Sequence, residues 1–115
     1  MNTFLKCAIA TTLVLTSAMS RMYCLAAEVP ADIQRILNTN GCSGCHAKAQ
    51  TVVGPSFEAI GAKYQSSSDA LERLKRKVRA GGTGVWGQVA MPPNPGIADG
   101  DLNAVLNWVL NKSQS

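Results

Sequence analysis

The chain has 115 residues, of which 46% are hydrophobic, and it carries 11 Lys or Arg against 7 Asp or Glu. This length accommodates one small domain behind a leader and excludes two full domains or a large enzyme scaffold. No apolar run reaches the roughly 20 residues that a membrane-spanning helix needs, which excludes a polytopic membrane protein.

Residues 1–27 have the three parts of a secretory signal peptide. The basic residue Lys6 is followed by the short apolar stretch 7–19, and small residues lie near the end of the segment. Such a leader directs export and is then removed. The apolar core is short for a bilayer, which disfavours the alternative of an uncleaved anchor helix. The sequence therefore predicts a periplasmic protein without a stable membrane anchor.

The leader has two candidate cleavage sites. Small residues predict a cut just before Ala27 or Glu28, which leaves 28–115 as the mature domain, whereas a cut behind Ser20 would retain Cys24. We take the later cut. The mature domain then has 88 residues, with nine basic and seven acidic side chains. This weak charge, together with export, argues against nucleic-acid binding.

Hydrophobic periodicity predicts an all-α domain of four helices. The first helix opens at Pro30 and the second follows Gly54-Pro55. Their apolar faces are Ile33, Ile36 and Leu37 in the first, and Phe57, Ile60 and Tyr64 in the second. A domain of about 90 residues has a modest core, so these faces leave it short of buried surface.

The third and fourth helices begin at acidic residues. Asp69 ends a serine cluster and is spaced for a capping box with Glu72, and either Asp99 or Asp101 caps the fourth helix. Their apolar faces are Leu71, Leu74 and Val78 in the third, and Leu102, Val105, Leu106 and Val109 in the fourth. Between them, residues 81–96 contain too much Gly and Pro for a helix or a regular strand. We predict a long functional or disordered loop there.

The motif with the clearest chemistry is Cys42-Ser43-Gly44-Cys45-His46, which has the C-x-x-C-H spacing of covalent haem attachment. Positions i, i+3 and i+4 share one face of a helical turn, so two thiols and an imidazole can meet one flat ligand. The cysteines would bond to the two vinyl groups, and His46 would bind the iron.

Three other interpretations of the motif remain. Cys42 and Cys45 are spaced for a redox disulfide, but the expected βαβ pattern is missing. A closed structural zinc site would need a further Cys or His ligand in the mature chain. His46 as an ordinary surface histidine leaves its place next to the second cysteine unexplained.

Met91 is the candidate for a second iron ligand. It is the only methionine of the mature chain, and His46 is the only histidine of the whole sequence. A lone methionine is often core filler, but Met91 lies in the Gly/Pro segment rather than on a helix face. Two prolines follow it and stiffen the chain.

Four motifs in order resemble those of the small bacterial class I cytochromes c, specifically the cytochrome c-551/c-552 (cytochrome c8) type. The motifs are Gly41–His46, Val53-Gly54-Pro55, Gly84–Gly87 and Met91–Asn94. The resemblance runs from about Asp32 to Lys112. It implies the class I fold, in which about four helices surround one covalently bound haem and a long loop carries the distal ligand.

The resemblance also implies a role for each of eight residues. Cys42 and Cys45 would form the thioethers, and His46 and Met91 would be the proximal and distal iron ligands. The remaining cofactor contacts would come from Pro55, whose carbonyl accepts the His46 Nδ1 hydrogen bond, from Trp86 and Lys77 at the propionates, and from Asn94 near the Met91 sulfur. For Trp86 the alternative is an aromatic packed under the loop, and for Trp108, which also resembles a family aromatic, core packing is preferred.

The implied function is single-electron transfer by a monomer between redox partners, with no enzymatic activity because both axial positions are filled. Two alternatives are a haem enzyme or gas sensor with a labile methionine, and a haem subunit of a larger periplasmic oxidoreductase. Five cations between Arg73 and Arg79 are either a solvated helix face or a docking patch for an acidic partner. The haem would supply the missing core, so the haem-free chain is expected to be largely unfolded.

Overall fold

The computed structural model describes residues 28–111, so the predicted leader 1–27 lies outside the described residues. Within that range the helices are α1 (Ala31–Thr39), α2 (Phe57–Tyr64), α3 (Ala70–Ala80) and α4 (Asp99–Asn111), with a 3-10 turn at Cys42–Gly44 between α1 and α2. Two short strands, β1 (Gly82–Gly84) and β2 (Gly87–Met91), lie between α3 and α4. The prediction of an all-α domain with four helices is confirmed.

The first two helices begin close to their predicted starts. Pro30 lies one residue before α1, and its carbonyl accepts the Gln34 amide at 2.8 Å. The cap of α2 is Ser56, whose hydroxyl accepts the Ala59 amide at 3.1 Å. Ser56 is buried, so this bond satisfies a first-turn donor that water does not reach. The sequence analysis did not identify this cap.

The predicted capping box of α3 does not form. Asp69 is the residue before the helix, but its side chain makes no capping hydrogen bond. Its φ and ψ of −99° and 11° are far from the extended conformation of a side-chain cap. The two carboxylates pair with cations instead, Asp69 with Arg73 at 3.9 Å and Glu72 with Lys75 at 3.0 Å.

The segment predicted as an irregular loop contains a β-hairpin. Strands β1 and β2 are antiparallel, with Gly82 opposite Met91 and Gly84 opposite Gly87. Both Gly84 and Gly87 have positive φ, which allows the tight turn between them. The prolines follow Met91, outside the ladder, so they do not interrupt it. The prediction that no strand would form was therefore wrong for these residues.

The core lies where α4 packs against α1, α2 and α3. Each predicted apolar face contributes to it: Ile33, Ile36, Leu37, Phe57, Tyr64, Leu74, Leu102, Val105, Leu106 and Val109 are buried. Ile97, just before α4, joins the same cluster. None of the helices found in residues 28–111 is long and apolar enough to span a membrane.

Candidate functional site

One cavity of about 500 Å³ contains the whole predicted site. Its walls come from the segment around the 3-10 turn, from α2 and α3, from the hairpin and from the core face of α4. All eight predicted site residues line it: Cys42, Cys45, His46, Pro55, Lys77, Trp86, Met91 and Asn94. Its volume lies in the range of about 300–1,000 Å³ that is typical of ligand and cofactor sites.

The C-x-x-C-H motif forms a compact turn after α1. Gly41 begins it with a φ of 73°, a left-handed conformation that favours glycine. The amides of Cys45 and His46 both donate to the Cys42 carbonyl, at 3.1 and 3.0 Å. These i+3 and i+4 bonds give the helical-turn spacing that the motif predicts, and the residues Cys42–Gly44 form a 3-10 turn.

Both thiols are free and half-buried. Burial raises the pKa of the Cys42 thiol; the Cys42 backbone amide lowers it in part, and the nearby Cys45 raises it further. A redox C-x-x-C pair normally has a thiol pKa shifted in the opposite direction. The environment of Cys42 therefore gives no support to the thiol-redox interpretation.

The imidazole of His46 has a defined tautomer. Its Nδ1 atom lies 2.6 Å from the Pro55 carbonyl oxygen. A carbonyl oxygen accepts only, so Nδ1 carries the hydrogen and donates it. In the neutral imidazole with this tautomer, Nε2 carries the lone pair, which is the form of histidine that binds a metal. The predicted contact between Pro55 and His46 is present.

Two further residues fix the plane of this ring. A Cβ added to Gly54 would lie 2.6 Å from His46 Cε1 and 3.0 Å from Nδ1, so only glycine allows the approach. The Phe57 ring lies 5.5 Å from the imidazole, centroid to centroid, and itself packs edge-on against Trp108 at 5.3 Å. Phe57 was predicted as a core residue only. Its position two residues after Pro55, the predicted partner of His46, is the sequence feature that could have indicated its contact with the imidazole.

Met91 lies at the end of β2, partly buried, and its backbone is packed against Gly81. A Cβ on Gly81 would lie 2.7 Å from Pro93 N and 2.9 Å from Pro92 C. Gly81 has a φ of 67° and directly follows α3. The chain that carries the predicted distal ligand therefore runs in contact with the end of α3.

Asn94 connects the two sides of the site. Its side-chain Nδ2 donates to the Asn40 carbonyl at 3.3 Å, and its amide donates to the Val78 carbonyl at 2.9 Å. The sequence analysis assigned the side chain to the Met91 sulfur, whereas the structure gives it a backbone partner just before the C-x-x-C-H turn. The Nδ2 atom of Asn94 carries a second hydrogen, so the bond to Asn40 does not exclude the predicted contact with the Met91 sulfur.

Trp86 and Lys77 lie at the hairpin side of the cavity. Trp86 is in the turn between β1 and β2, 43% exposed, with Lys63 Nζ 5.3 Å from its ring centroid. The half-buried Lys77 extends toward β1, since its Nζ would lie 3.3 Å from a Cβ on Gly82. Among residues 28–111, Lys77 forms no ion pair, so its charge is free for an anionic group.

The donor atoms of this cavity match the chemistry of a c-type haem. Two free thiols lie three residues apart, one imidazole presents a bare Nε2, and one thioether lies on a separate segment of the wall. The remaining lining is largely aliphatic and aromatic, as a macrocycle requires. The fold and the site together define a c-type haem protein.

Comparison with known proteins identifies the family. The family model described as "Cytochrome c" matches residues 30–113. Cytochrome c-551 of Allochromatium vinosum is 44% identical over 71 residues, covering 62% of this chain and 76% of that protein. Cytochrome c-552 of Nitrosomonas europaea is 40% identical over 84 residues, covering 73% of this chain and 79% of that protein.

The structural comparison agrees. The crystal structure of wild-type Nitrosomonas europaea cytochrome c552 superposes with a TM-score of 0.64 at 40% identity, covering 68% of this chain and 96% of that one. The chain belongs to the cytochrome c family. It is an electron carrier whose cofactor is a covalently attached haem c.

Proposed function

We propose that this protein is a periplasmic single-electron carrier whose haem iron is bound by His46 and Met91, with thioether bonds from Cys42 and Cys45. The observation that supports it best is the common cavity, in which the two ligand side chains come from different segments of the wall. When bound, the haem supplies a one-electron ferric–ferrous couple, and the protein sets its ligation, hydrogen bonds and burial.

The residues around His46 hold its imidazole in one orientation. Its Nδ1 hydrogen is held by Pro55, and Gly54 and Phe57 fix its ring plane. A hydrogen bond of this kind raises the basicity of Nε2 and keeps the ligand oriented in both redox states. A fixed ligand lowers the reorganisation that accompanies each electron transfer.

Met91 would bind the haem iron together with His46, and a methionine ligand would raise the reduction potential. With both of these ligands supplied by the protein, no position at the iron would be left for a substrate, and the protein would act as a carrier and not as an enzyme. Lys77 and the Trp86 indole N–H serve the haem propionates. Asn94 steadies the segment just after Met91 through its bonds to Asn40 and Val78.

Export and domain organisation complete the proposal. Residues 1–27 form the cleaved leader and 28–115 the mature monohaem domain, which acts as a monomer. Donor and acceptor are redox proteins that approach the cavity side of the domain, because the shortest path for the electron starts at the haem.

The cationic face of α3 supports only a weak docking patch. Arg73 and Lys75 pair with acidic residues on or next to their own helix, and Arg79 pairs with Asp99. Of the five cations of this face, Arg76 and Lys77 have no ion-pair partner among the described residues, and Lys77 is already assigned to the propionates. The one charge that remains, Arg76, gives at most a small rise in association rate with an acidic partner.

Optical spectra of the protein exported in a strain with haem-attachment machinery test the proposal. We expect sharp c-type bands when reduced, a weak far-red Met–iron band when oxidised, and no response of the ferrous protein to carbon monoxide. A high-spin spectrum that shifts with carbon monoxide would favour a haem enzyme or gas sensor. A chain that is exported without haem would favour a redox function of the two cysteine thiols. Co-elution of the haem protein with a second protein would favour a subunit of a larger oxidoreductase.

A further inference from the structure

Arg79, in the last turn of α3, binds the segment that follows Met91. Its Nη1 donates to the Pro95 carbonyl at 2.8 Å, and its Nη2 donates to the Ile97 carbonyl at 3.1 Å. The same Nη2 also pairs with the Asp99 carboxylate at 2.5 Å. One guanidinium therefore binds three acceptors, which belong to every second residue from Pro95 to Asp99.

The same end of α3 also holds the segment at its beginning. The Val78 carbonyl accepts the Asn94 amide at 2.9 Å, and Gly81 lies against the backbone of Met91 and Pro93. Residues 91–99 are thus attached to the last turn of α3 at both ends. We call these residues the Met91 segment.

We propose that Arg79 is a positioning residue for Met91: by tying Pro95 and Ile97 to α3, it limits the movements of the Met91 segment through which the methionine sulfur leaves the iron. This inference rests on the proposed His/Met ligation. Arg79 touches neither the haem nor the sulfur in this proposal, and it acts through the backbone of the segment.

The chemistry of the three bonds explains why arginine is needed. The guanidinium is a planar fork with five N–H donors, so it can bind two carbonyls and a carboxylate at once. A lysine ammonium at the end of a flexible stem cannot hold the same acceptors in one geometry. The substitution R79K therefore keeps the charge but loses most of the positioning.

The two carbonyl bonds carry the effect rather than the ion pair. The Asp99 side chain is 85% exposed, and exposed ion pairs contribute little. Ile97, in contrast, is buried in the core, so its carbonyl bond to Arg79 fixes a backbone whose side chain is already anchored. D99N should accordingly have a much smaller effect than R79Q.

The test uses the ferric holoprotein and exogenous imidazole, which binds the iron when Met91 leaves. At saturating imidazole, the rate at which the far-red band disappears equals the rate of methionine release. We expect R79Q to raise this limiting rate about tenfold, through loss of hydrogen bonds to a charged group. R76Q is the matched control, because Arg76 is exposed on the same helix and its side chain makes no hydrogen bond or ion pair with the described residues. We expect its rate to stay within about twofold of wild type.

Three results separate the possible outcomes. A limiting rate of R79Q equal to that of R76Q overturns the inference, even if R79Q lowers the denaturation midpoint, because a purely structural role predicts that pattern. If R79Q yields no holoprotein, R79K decides: a rise of about threefold or more supports the inference, and a rate equal to wild type overturns it. A wild-type protein without the far-red band would instead refute the proposed function.

Discussion

The Nδ1 atom of His46 lies 2.6 Å from the carbonyl oxygen of Pro55, and the same imidazole fills the space that a Cβ on the neighbouring Gly54 would need. The two residues act on the ring in different ways. Pro55 selects the tautomer, whereas Gly54 leaves the space that the ring occupies. The contribution of Gly54 can be tested by substitution.

The substitution G54A should displace the His46 ring. The new Cβ would lie 2.6 Å from His46 Cε1, which is closer than real Cβ atoms approach other atoms. The backbone of Gly54 cannot easily move away, because its N–H donates a hydrogen bond to the Cys45 carbonyl at 2.8 Å. We expect a loss of about 1–3 kcal/mol in the free energy of unfolding of the holoprotein, as for overpacking elsewhere. Urea denaturation followed at the Soret band measures it. The control G100A adds a Cβ in open space within α4 and should be neutral or stabilising; equal losses in both variants would contradict the steric explanation.

Truncation of Met91 should open the iron to small ligands. In M91A no methionine remains in the predicted mature chain, 28–115, so the ferrous protein should bind carbon monoxide and the reduction potential should fall. The far-red ferric band should also disappear. Q88A, at an exposed position on the same strand that does not line the cavity, is the matched control and should retain all three wild-type properties. Carbon monoxide binding to the wild type, at the rate seen in M91A, would show that Met91 is not the ligand.

Removal of the Ser56 hydroxyl tests the cap that the sequence analysis missed. Because S56A leaves the Ala59 amide without its buried partner, we expect a loss of about 1 kcal/mol in the free energy of unfolding. Chemical denaturation of the holoprotein measures the change. S66A, at an exposed serine before α3, should change the free energy by less than about 0.5 kcal/mol. A Ser56 variant as stable as the Ser66 variant would mean that water or a neighbour replaces the cap.

Haem removal should unfold the domain. The double variant C42A/C45A cannot form thioethers, so any haem that His46 and Met91 still hold can be extracted, and the emptied cavity of about 500 Å³ would then expose aliphatic walls to water. A domain of this size has little other buried surface to compensate. Circular dichroism should show much less helix than in the holoprotein and no cooperative thermal transition. A sharp transition in the haem-free variant would mean that the α4 core suffices by itself.

The helices were predictable because their information is local. Ile33, Ile36 and Leu37 are buried as the 3.6-residue period requires, and the same holds for the stripe on α4. All eight predicted site residues line one cavity. Four of them, two cysteines, one histidine and one methionine, were predictable because they are scarce residue types in a recognisable order, and the other four came from the family resemblance. Their individual roles remain predictions.

The failures have physical causes that the sequence does not display. The hairpin at 82–91 depends on glycine conformations rather than on alternating side chains. The capping box failed because Asp69 adopts a backbone conformation that directs its carboxylate to Arg73. Arg79 donates hydrogen bonds to the backbone carbonyl oxygens of Pro95 and Ile97. Because every residue has a backbone carbonyl, the residue types do not show which ones Arg79 binds, and these bonds could not be predicted from the sequence.

The position of α4 has a consequence for the order of assembly. This helix packs on each of the other three helices, yet it comes after all of them in the described part of the chain. The C-x-x-C-H turn, in contrast, follows the first helix. A chain that emerges from its N-terminus therefore presents Cys42 and Cys45 while the core is still incomplete, and the attachment of the cofactor can precede the docking that closes the domain around it.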